Sequence, residues 1–397
     1  MRALCKTKAC VSCGPNRTEL MNKINLVADE NILLLDELFG DIAHITRING
    51  RSISALQVAQ ADALVLRSTA KVTPALLEHS KVKFVGTCTI GTDHLAIDYM
   101  DLNNIVWRNA PGCNAAGVGD YVIACINHAW QTLGIDPRQQ TIGIVGAGNV
   151  GSRLAERLQK AGFSILQCDP PKVDAGRQGF VELDELLGRC QIVCLHTPLT
   201  KTGVHATANL LHQERIKNLA KGTVLISAGR GEVVDQQALL ARQQQRHDLH
   251  LFLDVWHHEP HIDKSLFDYS HCVTPHIAGH SLEGKMRGTY MIYQALCEHF
   301  GIEVKHKLGP LIPKPDLAEL FIKADTSVQE ILALACSQVY PLMQDDTRMR
   351  QGDDFDLLRK NYPVRREFSS LTLQGITHAK SEDMMHGLGF SIEQERH

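Results

Sequence analysis

Residues 141–151, T-I-G-I-V-G-A-G-N-V-G, constrain this chain more than any other stretch. The apolar run 141–145 has the length of a strand buried on both faces. Gly146, Gly148 and Gly151 follow as G-x-G-x-x-G, and Val150, Leu154, Leu158 and Ala161 then recur at helical spacing. The glycines therefore stand between a strand and a helix. There the first permits a tight turn, the second lets the backbone approach a pyrophosphate, and the third lets the helix pack on the strand. Asn149 and Val150 open that helix, whose N-terminal N–H groups face the anion. A second strand over 164–168 ends at Asp169, 23 residues after Gly146, where the ribose-binding carboxylate of a dinucleotide fingerprint belongs. Asp169 can accept hydrogen bonds from a ribose 2′-hydroxyl and would repel a 2′-phosphate, so the expected cofactor is NAD.

The 397 residues suffice for two or three domains. A net charge of −3 gives no basic field for nucleic acid or a membrane surface, and no apolar run approaches the length of a membrane span. The twelve cysteines are scattered through apparent strands and helices, which suits buried free thiols in a reducing cytoplasm. Residues 1–21 are polar, basic and aperiodic and read as a disordered leader. Their C-x4-C-x2-C lacks the nearby fourth thiolate that an iron–sulfur cluster needs.

Strands are expected over 24–28, 63–66, 84–86 and 105–107, a helix over 32–38, and a long helix over 117–133. Beyond the glycine loop, strands follow at 192–195, 224–227 and 249–255, with helices over 236–244 and 282–300. Alternation of strand and helix predicts parallel sheets, with ligands at the strand C-termini. Residues 302–397 open with three prolines, then give a helix over 328–342 and a strand over 370–373.

Three ionisable residues follow successive strand ends beyond the glycine loop: Arg230, Glu259 and His276. A guanidinium fork binds a carboxylate bidentately. An imidazole can take a hydroxyl proton as a hydride leaves, and a carboxylate beside it fixes the ring and favours its charged form. Asp254 follows an apolar strand and is a further candidate near the nicotinamide. His257, His258 and His261 fit no metal-ligand spacing, and no metal is expected. In the first domain, Arg67, Ser68 and Thr89 offer a cation and two hydroxyls to a phosphate.

The motifs G-A-G-N-V-G at 146–151, H-T-P-L at 196–199, A-G-R-G-E-V-V-D at 228–235, D-V-W-H-H-E-P at 254–260 and H-I-A-G at 276–279 make the chain resemble the D-isomer-specific 2-hydroxyacid dehydrogenases. The stretches 86–94, 110–115, 168–171, 282–289 and 358–371 are similar to one branch of that family. That branch oxidises a four-carbon 2-hydroxy acid with a terminal phosphate and carries its own dimerisation domain. The resemblance implies an NAD-dependent cytoplasmic homodimer. It implies two doubly wound parallel-sheet α/β domains and a C-terminal α+β dimerisation domain over 302–397. One α/β domain is a Rossmann NAD domain over 117–280, and the other a flavodoxin-like substrate domain over 22–116 and 281–301. It further implies Arg230, Glu259 and His276 as catalytic residues, with His276 the proton donor and acceptor. Asp169, Thr197, Asp254 and Gly279 would contact NAD, and Ser68 and Thr89 the substrate. The branch places a substrate-binding Tyr directly after H-I-A-G; this chain has His280, which can still donate a hydrogen bond. Two rival readings are a related dehydrogenase, such as one acting on phosphoglycerate, and an NAD-sensing scaffold without turnover.

Overall fold

The structure, a computed structural model, describes residues 23–352 and 354–393. The leader read over 1–21 lies outside them. Strands β1 (Ile24–Asp29), β2 (Ala43–Ile48), β3 (Ala63–Leu66), β4 (Phe84–Thr87) and β5 (Val106–Arg108) form one parallel sheet in the order β2-β1-β3-β4-β5. β3 and β4 are buried along their whole length, as strands covered on both faces must be. β2 has no counterpart among the sequence expectations. Its A-H-I-T-R-I carries polar residues because it is an edge strand with only its ends buried.

The 19-residue helix α1 (Ala115–Leu133) crosses to the second sheet. Fourteen of its residues are buried, as expected of a helix apolar on most sides. Strands β6 (Thr141–Val145), β7 (Ser164–Cys168), β8 (Ile192–Leu195), β9 (Val224–Ser227), β10 (His250–Leu253) and β11 (Ser270–Val273) then pair in parallel as β11-β10-β9-β8-β6-β7. Chain order reverses beside β6, so a crevice opens between the ends of β6 and β8. Helix α2 (Asn149–Lys160) springs from the glycine loop. Gly146 has φ +88°, and a Cβ on Gly151 would lie 1.9 Å from the Gly146 carbonyl oxygen. A larger residue at 151 would push α2 off the strand.

Helix α3 (Leu282–Phe300) is capped by the Ser281 side chain and ends at Gly301 in the left-handed region. Its Ile292, Tyr293, Leu296 and Cys297 pack with Leu26, Ala63 and Phe84 of the first sheet. The C-terminal part holds α4 (Val328–Val339), α5 (Leu342–Gln351), α6 (Phe355–Lys360) and α7 (Ala379–Gly387). The helix expected over 328–342 is α4, which stops at Val339 ahead of Pro341, a residue without the N–H a helix interior uses; α5 beyond it was not expected. Strands β12 (Glu319–Phe321), β13 (Thr372–Gln374) and β14 (Ser391–Ile392) pair in parallel.

Ile331, Leu332, Ala335, Phe368, Leu373 and Phe390 share one core with the inner faces of α1 and α2. α5 also covers the outer edge of the six-stranded sheet. Asp346 accepts from the Val273 N–H at 2.8 Å, and Arg350 donates to the Phe267 and Ser270 carbonyls at 2.8 Å each. Side chains thus satisfy edge groups that would otherwise be open to another strand. Among the described residues no helix is long and apolar enough to cross a membrane.

Candidate active site

Because each sheet is parallel, all of its strand C-termini lie on one edge. On the six-stranded sheet, Arg230 follows β9, Asp254 and Glu259 follow β10, and His276 follows β11. Gly231 draws the first two loops together: a Cβ there would lie 2.0 Å from the Trp256 carbonyl oxygen.

His276 sits at φ +53°, a left-handed conformation that L residues avoid by about 1–2 kcal/mol. Asp254 holds it there. The Asp254 carbonyl accepts the His276 N–H at 2.7 Å. Its carboxylate, only 1% exposed, accepts Thr274 Oγ1 at 2.6 Å, Ile277 N–H at 2.8 Å and Ala278 N–H at 3.0 Å. Asp254, a candidate cofactor contact in the sequence, is in the structure the clamp of the histidine turn.

His276 Nδ1 and Glu259 Oε2 are 2.7 Å apart, and Glu259 Oε1 accepts the Trp256 N–H at 2.9 Å. Burial pushes the Glu259 carboxyl up. The His276 hydrogen bond and charge, the Trp256 N–H and the charge of Arg359 outweigh it, so the carboxyl lies below its ordinary value and is ionised near neutrality. An ionised carboxylate accepts only, which places the proton on Nδ1 and leaves Nε2 free to exchange one.

Across the cleft lie the ends of the five-stranded sheet. Arg230 Nη2 is 3.9 Å from Asp93 Oδ2, and a Cβ on Gly91 would lie 3.1 Å from the same nitrogen. The loop carrying Thr89 therefore meets the loop carrying Arg230. Thr89 Oγ1 is 2.8 Å from Thr87 Oγ1, which is 3.0 Å from His94 Nε2. Arg67 donates to both Asp29 oxygens at 3.2 and 3.3 Å, so much of its charge is already answered. Ser68 is exposed beside it. Asp29, Asp93 and His94 had no role of their own in the sequence reading, although the stretch 86–94 was part of the resemblance. Asp29 ends β1 and the other two lie in the loop after β4, and a lone acid or histidine there carries no signal until its partner is known.

The crevice between β6 and β8 fits a dinucleotide. A Cβ on Gly146 would lie 2.9 Å from the Thr197 nitrogen, so the glycine loop and the H-T-P-L loop touch. Thr197 Oγ1 is buried with no hydrogen-bond partner, a group awaiting a ligand. Open space surrounds the Cβ position of Gly148, on the loop that leads into the α2 N-terminus. Asp169 Oδ2 accepts the Ala147 N–H at 2.7 Å, tying this strand-end carboxylate to the glycine loop. Lys172, which the sequence reading did not weigh, donates to the Ala147 carbonyl and to Ser152 Oγ at 3.1 Å. Gly279 leaves room for the Asn114 side chain, whose nitrogen would lie 2.2 Å from a Cβ there. His257 Nε2 is 2.8 Å from the Val234 carbonyl oxygen, a structural position.

His280 ends the same turn. Its ring meets Tyr362 edge-on at 5.7 Å, and its Nδ1 is buried without a partner. Burial, then the charges of Lys285, Arg359, His276 and Arg365, hold its pKa well below the ordinary value, so it is a neutral donor or acceptor. Arg365 and Arg366 are neither solvated nor loose. Arg365 is buried, lies 4.3 Å over the Tyr340 ring and donates to the Ala278 and Gly117 carbonyls; Arg366 pairs with Glu283 at 2.6 Å. The C-terminal segment thus forms part of the cleft lining in its own chain.

Comparison with known proteins agrees with this geometry. Residues 117–278 match the family profile of the D-isomer specific 2-hydroxyacid dehydrogenase NAD binding domain, and residues 311–389 match a domain of unknown function. An erythronate-4-phosphate dehydrogenase of Chromohalobacter salexigens is 48% identical over 380 residues, 93% of this chain and 99% of the relative. Another from Marinobacter nauticus is 44% identical over 382 residues, with 93% and 99% covered. Among solved structures, NAD+-bound 3-phosphoglycerate dehydrogenase of Entamoeba histolytica aligns with a TM-score of 0.59 at 23% identity, over 72% of this chain and 99% of that one. D-lactate dehydrogenase of Aquifex aeolicus, with NAD and lactic acid, gives 0.55 at 22% identity over 70% and 96%. Near-full-length identity to the first two shows that this chain belongs to the erythronate-4-phosphate dehydrogenases, within the NAD-binding D-isomer specific 2-hydroxyacid dehydrogenases.

Proposed function

We infer that the chain oxidises 4-phospho-D-erythronate at C2 with NAD, giving the 2-keto acid used in pyridoxal 5′-phosphate biosynthesis. The observation that carries the chemistry is the 2.7 Å His276–Glu259 pair, which shares one strand-end edge with Arg230. In this reading Arg230 clamps the substrate carboxylate as a bidentate fork. His276 Nε2 takes the C2 hydroxyl proton, and Glu259 stabilises the imidazolium that forms. NAD, when bound, supplies the acceptor for the C2 hydride. Gly146, Gly148, Asn149, Val150, Gly151, Asp169, Thr197 and Gly279 hold the cofactor. Ser68, Thr89, Arg67 and His280 face the substrate. Residues 23–116 with 281–301 form the substrate domain and 117–280 the cofactor domain.

A homodimer through residues 302–397 belongs to the same reading. Seven of the eleven large hydrophobic residues that are exposed among the described residues lie there, including Phe321 and Val364 at 71% and 76% exposure. The nine cysteines among the described residues are free and buried, which suits a reducing cytoplasm. The activity is tested by NADH absorbance at fixed NAD with 4-phospho-D-erythronate, D-erythronate and 3-phospho-D-glycerate. A preference of at least about tenfold for the first is expected, about 1.4 kcal/mol of transition-state discrimination. Equal rates would leave only the broader family activity. Phe321→Asp should shift light scattering from dimer to monomer, and an unchanged dimer would place the interface elsewhere.

A further inference from the structure

A phosphorylated substrate needs a cation that is free to meet it. Arg67, the nearest candidate in the first domain, is occupied by Asp29, and Arg365 and Arg366 are engaged by carbonyls and Glu283. Lys285 is an ammonium and offers no fork. Arg365 also has Nε and Nη1 buried without an acceptor, but it is only 4% exposed and its Nη2 is held by two carbonyls. Arg359 is only half-buried, forms no ion pair with a carboxylate among the described residues, and has its Nε buried without any acceptor. A buried guanidinium N–H without an acceptor is costly and marks a place for an anion.

The surroundings put that nitrogen at the cleft. Arg359 lies on α6, whose Phe355 packs in the core of the six-stranded sheet with Trp256 and Phe267. The same short helix reaches the opposite wall through Asp356, which pairs with Arg51 at 3.0 Å. Arg51 belongs to the turn beside Asp29, where Gly50 abuts the Asp29 carboxylate. Three residues beyond Arg359, Tyr362 meets the His280 ring. Three further on, Arg365 reaches the Ala278 carbonyl. The segment 355–366 therefore bridges both walls at the histidine turn. Arg359 is close enough for its charge to act on Glu259 and His280, which supports the placement. Phe355 lies under its guanidinium at 5.8 Å.

We propose that Arg359 is a specificity-determining residue that binds the terminal phosphate of the substrate from the C-terminal segment of the same chain, with His280 on the adjoining histidine turn as a hydrogen-bonding partner. This rests on the phosphorylated four-carbon acid proposed above as substrate. A guanidinium presents parallel N–H donors that match phosphate geometry, which an ammonium cannot do. It also gives the C-terminal extension a task inside the active site: it selects for a phosphate at the far end of a short 2-hydroxy acid.

The test is the ratio of kcat/KM for 4-phospho-D-erythronate to that for unphosphorylated D-erythronate, in the full-length wild type, Arg359→Gln and Arg359→Lys. Competitive inhibition by inorganic phosphate is measured in parallel. Arg359→Gln should lower the ratio by about 10- to 100-fold, the range for a lost hydrogen bond to a charged group, and weaken inorganic phosphate inhibition similarly. Arg359→Lys should fall between, because charge survives without the fork. If Arg359→Gln melts below the assay temperature, Arg359→Lys decides by the same ratio. A wild-type preference that survives both variants within about twofold overturns the role of Arg359 and leaves the substrate assignment standing. A wild type without any preference removes the substrate assignment, and the role of Arg359 with it.

Discussion

The two walls of the cleft hold their polar groups in different ways. On the six-stranded side the groups are fixed. Asp254 is buried and fully hydrogen-bonded, His276 is held at φ +53°, and Glu259 is locked between His276 and the Trp256 N–H. On the five-stranded side the donors are more open to solvent: a half-buried Thr89 pairs with Thr87, and a one-third-exposed Arg67 with Asp29. Proton transfer needs one atom placed within hydrogen-bond reach at the right moment, which rewards a rigid turn. Recognition of a substrate's far end needs donors that a ligand can reach. We read the fixed wall as the site of chemistry and the open wall as the site of recognition.

That contrast is broken most severely at His276. His276→Ala should lower kcat by about 10²–10⁴-fold with little change in NADH binding, measured by stopped-flow absorbance and NADH fluorescence. A near-normal rate would move the chemistry elsewhere. Asp254→Ala should cost about 2–4 kcal/mol in urea unfolding, because it strands two buried N–H donors and removes the clamp on a strained histidine. Its kcat should fall more than its KM rises; an undisturbed urea midpoint would mean that the clamp is not structural. Arg230→Lys should lower kcat/KM by about 10- to 100-fold, since a point charge loses the fork.

The fixed wall also carries a pH cost. His196, in the loop after β8, has both ring nitrogens buried without partners, and burial lowers its pKa from 6.5 to about 4. Between those values the unfolded chain takes up a proton that the folded chain refuses. Stability therefore falls as pH falls through this window, by up to about 1.4 kcal/mol per pH unit. His196→Phe should flatten the urea midpoint between pH 6.5 and 4, and an unchanged slope would show that other groups set it. The smallest effect is expected on the open wall. Thr89→Val should raise KM several-fold and leave kcat nearly unchanged, as loss of one neutral hydrogen bond of about 1 kcal/mol predicts.

Much of the fixed wall was legible in the sequence because it sits on buried strands. Runs such as 192–195 and 224–227 are apolar throughout, and their bounds agree with β8 and β9. The glycine loop, Arg230, Glu259 and His276 could be read because each follows such a run. β2 was missed because an edge strand tolerates His, Thr and Arg, and the stop ahead of Pro341 was missed because apolar spacing continues through it. Beyond the Glu259–His276 pair, partners were not legible. Nothing in the spacing joins Asp29 to Arg67, 38 residues away, or Arg51 to Asp356, 305 residues away. The contacts of residues 355–366 with the histidine turn were hidden for the same reason.

The division of labour between the walls is tested most directly by the primary deuterium isotope effect on kcat with 4-phospho-D-erythronate labelled at C2. His276→Gln should enlarge the effect relative to wild type, because proton and hydride leave in one step, and slowing that step makes C–H cleavage at C2 rate-limiting. Thr89→Val should keep the wild-type isotope effect while its KM rises. An enlarged effect in Thr89→Val, with none in His276→Gln, would place the chemistry on the opposite wall and contradict the assignment.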